Sequence, residues 1–568
     1  MTRARYALIA APLLFIGVFF LWPVGAIIAR GLTTDGPPPW DGFTGAGGVG
    51  LVWFTMWQAA ASTLLTVVLG LPLAWLTARA RFRGQWIVRV LATVPFVLPT
   101  VVVGVAFRTL FAAEGGLGFL GLSETVWAVL IAHAYFNVSV VARIVGGVWA
   151  GLDPRAAQAA RTLGANPVRA FMTATMPALA PAIASAASVV FLFCATSFGI
   201  VLVVGGSRFR TLETAVYQEV VGAFDLRTAA LLALVQIAIV VIAVLVSAAL
   251  RHRGSRPASS AALPSRPGRG TRIAVLIGVP VSTVLLAYPM VSLVLRSLRP
   301  DAATGLSLGA YRRLGENVNG VVPLKALQMS LLTAIQAGAI ALIVGGLAAI
   351  AISRSSGLLS RFADAVVMLP LGVSAVTLGF GYLLALQSLP AMRESPAVLP
   401  FVQALVAVPL VVRVLVPALA AVDPRQRQAA AVLGASPVRV FTTVDLPVIG
   451  RSVAVAAGFA YVVTLGEFGA ASFLVQPGQM TLPVLIGRIM ARPGYESAAL
   501  AAACSGSAHR GHRGGDRCGR GHSGATVPAR RNSKEANNAH DRRGHGPLRL
   551  PHRGRRGLAR RRRARRPR

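Results

Sequence analysis

The stretch Asp153-Pro154-Arg155-Ala156-Ala157-Gln158-Ala159-Ala160-Arg161-Thr162-Leu163-Gly164 returns 270 residues later as Asp423-Pro424-Arg425-Gln426-Arg427-Gln428-Ala429-Ala430-Ala431-Val432-Leu433-Gly434. Across 153–177 and 423–447, 15 of 25 positions are identical, ending with Pro177 and Pro447. A basic, polar segment kept twice inside two apolar halves marks two equivalent surfaces, and internal repeats are a familiar architecture of membrane transporters. A second block repeats at an offset of 275: Arg79 matches Arg354, and Pro95, Val101 and Gly104 match Pro370, Val376 and Gly379. The change of offset places a small insertion or deletion near 112–122 and 391–397.

The surrounding chain is that of a polytopic membrane protein. Hydrophobic residues make up 55% and charged residues 13%, where soluble domains carry about 25% charge. Apolar runs long enough to cross a bilayer as helices fall at 7–29, 52–77, 87–111, 125–149, 175–203, 229–250, 273–295, 327–352, 364–389, 398–421 and 446–475, and a twelfth starts at 497–503. The first run follows Arg3 and Arg5, is too long for a signal-peptide core, and reads as an uncleaved helix. The expectation is an all-α polytopic membrane protein of two tandem six-helix repeats. They occupy 1–250 and 273–503, with a cytoplasmic linker at 251–272. The linker's Arg, Pro, Ser and Gly content predicts flexibility.

Orientation follows the arginines. Arg3/Arg5, Arg79/Arg81/Arg83, Arg155/Arg161/Arg169, Arg251/Arg253/Arg256, Arg354/Arg361 and Arg425/Arg427/Arg439 fall on alternate connections. The N-terminus and both copies of the repeated segment are therefore expected in the cytoplasm. Arg208, Arg210, Arg296, Arg299, Arg312 and Arg313 break the pattern, but in longer outside loops, where the rule is weaker.

Residues 504–568 depart from this pattern. They supply +17 of the net charge of +37 and end in a run of arginines. The first half continues past Leu226 as an apolar helix, whereas the second begins the same way at Glu496 and turns into Ser505-Gly506-Ser507-Ala508-His509-Arg510. A frameshift that replaced the twelfth helix with a disordered, out-of-frame tail accounts for this. A genuine basic tail touching anionic lipid or nucleic acid is the alternative. Cys194, Cys504 and Cys518 imply neither a disulfide nor a metal framework.

Within the repeated segment, Asp153 and Asp423 are good N-caps followed by Pro154 and Pro424 at the favoured first helical position. A helix of about 10 residues would carry Gln158-Ala159-Ala160 or Gln428-Ala429-Ala430. Gly164 and Gly434 suit the left-handed residue that closes it. Asn166-Pro167 and Ser436-Pro437 restart a helix with the same device. Small alanines on the exposed face of this elbow allow another protein close approach. An amphipathic loop helix lying on the membrane is the plainer reading.

Both copies resemble the Glu-Ala-Ala motif of binding-protein-dependent ABC importer permeases. Its spacing is met by Gln158-Ala159-Ala160, Gly164 and Met176-Pro177, and by Gln428-Ala429-Ala430, Gly434 and Leu446-Pro447. Gln replaces Glu in both copies, so the salt bridge of that Glu is replaced at best by a hydrogen bond. The resemblance implies MetI-like permease repeats whose elbows sit in grooves of a cytoplasmic ATPase subunit, in two copies, with an extracytoplasmic solute-binding protein as the other partner. Two fused halves, with Ser197-Phe198-Gly199, Thr211-Leu212-Glu213 and Glu467-Phe468-Gly469, are most similar to the iron(III)/thiamine importers. A sulfate/molybdate or polyamine-type permease, a secondary transporter and a degenerate permease stay open as alternatives.

The chain has no phosphate-cradling loop of its own. Its only lysines, Lys325 and Lys534, do not follow glycine as a Walker motif requires, so ATP is expected on a partner and no cofactor on this chain. The expected role is a non-enzymatic transport subunit in the plasma membrane, in contact with the lipid bilayer and not with nucleic acid. Candidate pathway residues are His133 and Asn137, four apart on one helix face, Gln403 in the place of His133, and Glu467 near the middle of span eleven. A satisfied interhelical hydrogen bond is the competing reading for each. Arg108, Arg143 and Arg413 are expected to snorkel to the interface. Loops 30–51, 204–227, 297–325 and 476–496 are expected to receive the binding protein.

Overall fold

The computed structural model describes residues 10–32, 39–80, 82–206, 208–252, 269–299, 305–318, 320–355, 357–476, 478–491 and 497–506. Arg3, Arg5, Arg81, Arg253, Arg256 and Lys534, the linker between 253 and 268 and the tail from 507 lie outside them. Among the described residues every regular element is helical, apart from a bridge between Val318 and Val321.

The helices that carry the fold are α1 (Ala10–Gly31), α2 (Gly48–Ala78), α3 (Gln85–Val97), α4 (Thr100–Phe111), α5 (Val126–Gly151), α6 (Arg155–Thr162), α7 (Pro167–Ala195), α8 (Leu212–Gln218) and α9 (Leu226–His252). The second half contributes α10 (Arg269–Ser297), α11 (Pro323–Arg354), α12 (Leu358–Gly372), α13 (Ala375–Ser388), α14 (Val398–Ala420), α15 (Pro424–Val432), α16 (Pro437–Leu465), α17 (Leu482–Met490) and α18 (Ser497–Gly506). Among the described residues nine helices are long and apolar enough to cross a membrane, and each of two bent pairs would make one more.

In those pairs the kinks that proline and glycine suggest within spans three and nine are full breaks. α3 and α4 meet at 105° and α12 and α13 at 92°. Leu98 turns extended (ψ 143°) because the ring of Pro99 disfavours helix in the residue before it. In the second half Ser374 restarts the chain by accepting a bond from the Thr377 amide at 3.0 Å. Spans five and eleven are also shorter at their ends than expected. α7 stops at Ala195 and α16 at Leu465, each followed by a break and a one-turn helix, Gly199–Val204 or Ala471–Leu474. The start of the twelfth helix runs to Gly506, three residues past the expected boundary, with Ala499 to Ser505 buried.

Small and hydroxylic residues form the inward face of the long helices. On α2 the buried face is Thr55, Gln58, Ser62, Thr66, Gly70 and Ala74, while Trp53, Leu64, Val68 and Leu69 face outward. This is the pattern of a membrane bundle, whose helices gain by close backbone approach rather than by hiding leucines from lipid. The hydroxyls do not remain free: Thr55 donates to the Leu51 carbonyl at 2.7 Å and Thr66 to that of Ser62 at 2.6 Å.

The halves are interlocked. α1 packs on α13: the Tyr382 hydroxyl donates to the Phe19 carbonyl at 2.5 Å, and Phe19 stacks on Phe401 of α14 at 4.9 Å. Reciprocally, α10 packs on α3 and α4, and the Tyr135 hydroxyl of α5 donates to the Leu286 carbonyl at 2.9 Å. The first helix of each half thus lies against the other half.

Candidate functional site

The elbows have the same backbone in both copies. The Asp153 and Asp423 carboxylates each accept from the amide two residues on, Arg155 or Arg425, at 2.9 Å. α15 begins at Pro424 as expected, whereas α6 begins one residue later than its counterpart, at Arg155. They have 8 and 9 residues. Each closes identically: Ala165 donates to Ala160 and Ala435 to Ala430, both at 3.0 Å, while Gly164 donates to Arg161 and Gly434 to Ala431. This crossed pair of bonds requires a left-handed residue at its centre, and Gly164 and Gly434 have φ of +87° and +81°. Asn166 and Ser436 then cap the next turn on the amides of Arg169 and Arg439.

Neither elbow helix has a buried residue. Gln158, Ala159, Gln428 and Ala429 lie on it, and Leu163 and Leu433 beside the glycines are 88% and 87% exposed. Val168 and Val438 are exposed too. Apolar side chains left open beside arginines, on a polar connection, are what a protein-docking surface presents. Downstream, Phe171–Thr175 and Phe441–Asp445 are π-turns at matching positions. Pro177 and Pro447 follow two residues after each π-turn, inside α7 and α16, where proline has no amide to donate to the preceding turn.

Where the halves meet, the repeat is again visible. Leu212 donates to the Thr55 hydroxyl at 3.0 Å and its counterpart Leu482 to the Ser330 hydroxyl at 2.7 Å, which seats α8 on α2 and α17 on α11. From there α8 reaches α13 of the other half, and α17 reaches α4. Loops 204–227 and 476–496 are therefore not open landing surfaces throughout: Leu212–Val216 and Leu482–Ile486 are buried. The Glu213 carboxylate, fully buried, accepts from the Ser374 hydroxyl at 2.7 Å across the contact. In the sequence Glu213 stands out only as part of Thr211-Leu212-Glu213. Its repeat partners, Pro483 and Pro99, could not make this bond.

His133 and Asn137 do lie together. His133 is held through Nδ1 by Ser62 (3.2 Å) and through Nε2 by Ser197 (2.8 Å), and Asn137 donates to the His133 carbonyl (3.0 Å). Among the described residues the buried Asn137 Oδ1 and Gln403 Oε1 atoms have no hydrogen-bond partner. Glu467 is not in mid-helix. It follows the end of α16 and its two oxygens accept from the amides of Ala470 and Ala471 at 2.8 and 3.1 Å, capping the one-turn helix. Arg108 donates to the Met490 carbonyl of the other half at 2.9 Å, and the guanidinium of the exposed Arg143 lies 5.8 Å from the centre of the Phe459 ring.

Comparison with known proteins meets this geometry. The family model for the binding-protein-dependent transport system inner membrane component matches residues 67–256. The thiamine transport system permease protein of Brucella abortus (strain 2308) is 25% identical over 465 residues, 79% of this chain and 83% of its own. That of Escherichia coli (strain K12) is 26% identical over 451 residues, 76% and 82% of the two chains. The sulfate transport system permease protein CysT of Salmonella typhimurium is 30% identical over 201 residues, 34% of this chain and 73% of its own. The chain belongs to the binding-protein-dependent transport permeases. It is a multi-pass inner-membrane subunit of an ABC importer, and such a permease works with an ATPase subunit and a solute-binding protein.

Proposed function

We propose that this permease imports a thiamine-type solute by alternating access, with two copies of a separate ATPase subunit docked on the elbows around Gln158-Ala159-Ala160 and Gln428-Ala429-Ala430. The observation that carries the reading is the pair of matching elbows without a buried residue, each with an exposed leucine beside a left-handed glycine. Two sites of one shape call for two copies of one partner. Repeats 1–250 and 273–503 act as the moving halves, with the N-terminus and the elbows on the cytoplasmic side, where the arginines place them. ATP is bound and hydrolysed on the partner, since no lysine here follows glycine.

Thiamine rather than sulfate is favoured because the thiamine permeases align along both halves, while the sulfate permease matches about a third of the chain. His133, Asn137, Gln403 and Glu467 are retained as residues near the pathway. The test is co-purification with the ATPase subunit followed by labelled thiamine uptake, for the native chain and for Leu163→Asp with Leu433→Asp. Native association and uptake, both lost in the double variant, are expected. Undiminished association in the variant would remove the elbows as docking sites, and uptake of sulfate or iron instead of thiamine would reassign the solute.

A further inference from the structure

The two elbows share a shape but not an anchorage. In the second half the Asp445 carboxylate, fully buried, lies between two arginines. Arg354 Nη2 is 2.5 Å from Oδ2 and Arg427 Nε is 2.6 Å from Oδ1. Arg427 belongs to the elbow helix α15, Arg354 is the last residue of α11, and Asp445 closes the π-turn that leads into the rest of α16. Arg427 also donates through Nη2 to the Leu419 carbonyl at the end of α14, at 2.8 Å. One carboxylate and one guanidinium therefore join the elbow to three long helices.

The first half lacks this arrangement. Repeat counterparts of Arg427, Asp445 and Arg354 are Ala157, Thr175 and Arg79. Only the arginine survives, and it turns elsewhere: Arg79 Nη2 donates to the Leu152 carbonyl, ahead of the elbow helix, at 2.6 Å. Partial burial holds the Arg79 guanidinium below its ordinary pKa, and the charge of Asp153 partly offsets this. Among the described residues α6 itself carries no ionic tie to α2 or to the π-turn. A single bond to a carbonyl leaves an element freer to rotate than charge-assisted bonds fixed at two oxygens.

Resting on the elbow reading above, we infer that the Arg354–Asp445–Arg427 bridge makes the second elbow the rigid input of the transporter and that the first elbow moves with slack. Displacement of α15 by the ATPase is carried directly into α11, α14 and α16. Displacement of α6 is carried mainly through the chain that follows it. Asp445 and Arg354 are positioning residues: they touch no solute and are not part of the docking surface.

The test uses the full chain with its ATPase and binding protein in proteoliposomes. Three quantities are read: ATPase subunit retained per permease, ATP hydrolysed, and solute moved per ATP. Asp445→Asn and Arg354→Gln should retain the ATPase and its hydrolysis while solute per ATP falls about tenfold, in the range of coupling between linked sites. Asp445→Glu should restore the ratio, and Arg79→Gln should change it less than either. An unchanged ratio in Asp445→Asn, or an equal fall in Arg79→Gln, overturns the inference. If Asp445→Asn fails to assemble, Arg354→Gln alone decides by the same ratio. Failure of the native chain to retain the ATPase would instead defeat the elbow reading, so the two failures are distinct.

Discussion

Phe198 and Phe468 hold the same place in the two repeats, 270 residues apart, and their rings stack on each other with centroids 5.0 Å apart and planes 18° apart. A pair of equivalent residues can meet in this way only where the axis relating the halves passes between them. Tyr217 and Phe473 extend the aromatic cluster with tilted and edge-on contacts, Tyr217 lying 5.2 Å from Phe198 and 5.6 Å from Phe473.

Replacing either stacked ring should loosen this contact. Phe198→Ala and Phe468→Ala should each lower the thermal unfolding midpoint, and the double variant should lower it by less than their sum. The coupling expected for an aromatic pair is about 0.5–1.5 kcal/mol. A double-mutant cycle in detergent measures it, and strict additivity would show that the two rings act independently.

Two glycines at matching positions should respond unequally to alanine. A Cβ on Gly379 would stand 2.6 Å from the Ala470 Cα, in the backbone, whereas on Gly104 it would meet the Val203 side chain at 2.9 Å. The Val203 atom is its Cβ, itself fixed to the backbone, so neither clash is relieved by a rotamer change and the closer approach at Gly379 is the harder to accommodate. Both substitutions should destabilise by about 1–3 kcal/mol, with Gly379→Ala the worse. Unfolding midpoints of the two variants check the order.

At the elbows, Gly164→Ala and Gly434→Ala place a Cβ on residues with φ of +87° and +81°. Each should weaken its crossed turn by about 1 kcal/mol, the usual penalty for a left-handed L-residue. Hydrogen exchange at the Ala165 and Ala435 amides should accelerate several-fold while the long helices stay protected. Unaltered exchange would mean that the turn is held from elsewhere.

Asp225 caps α9, accepting from the amides of Arg227 (3.1 Å) and Thr228 (3.0 Å) and from the Thr228 hydroxyl (2.7 Å). Burial pushes its carboxyl up, but these bonds and the Arg227 charge outweigh burial and hold it below the ordinary value. The folded pKa is thus below the unfolded one. The stabilisation is complete above the usual carboxylate range and is lost as pH falls through the depressed value, below about pH 4. Asp225→Ala should cost about 1 kcal/mol at neutral pH and progressively less in acid. Unfolding measured at both ends of that range checks the narrowing.

Much of this was readable in advance, because repeats and turn chemistry are local. The spacing of Asp153, Gly164 and Asn166 fixes an elbow whatever surrounds it, and the apolar runs place the long helices. What sequence could not supply is long-range. The bend at Leu98–Pro99 is signalled by its proline, but the same bend at Val373–Ser374 has only a serine cap, so the run reads as one helix. Glu467 looks like an intramembrane charge until Ala470 and Ala471 are seen to fold back onto it. Arg427 and Asp445 are 18 residues apart, and nothing in their spacing reports that Arg354, 91 residues before Asp445, closes the bridge.

The exchange of first helices bears on how such a chain is made. α1 is synthesised first, yet the residues that bond it, Tyr382 and Phe401, emerge more than 350 residues later. Through most of translation it must wait in the lipid without its final neighbour, and α10 is the first segment of the second half able to complete the first. Maturation is therefore expected to be a late, concerted step rather than a succession of finished halves. Joining both halves in one polypeptide keeps the two unfinished pieces beside each other until that step occurs.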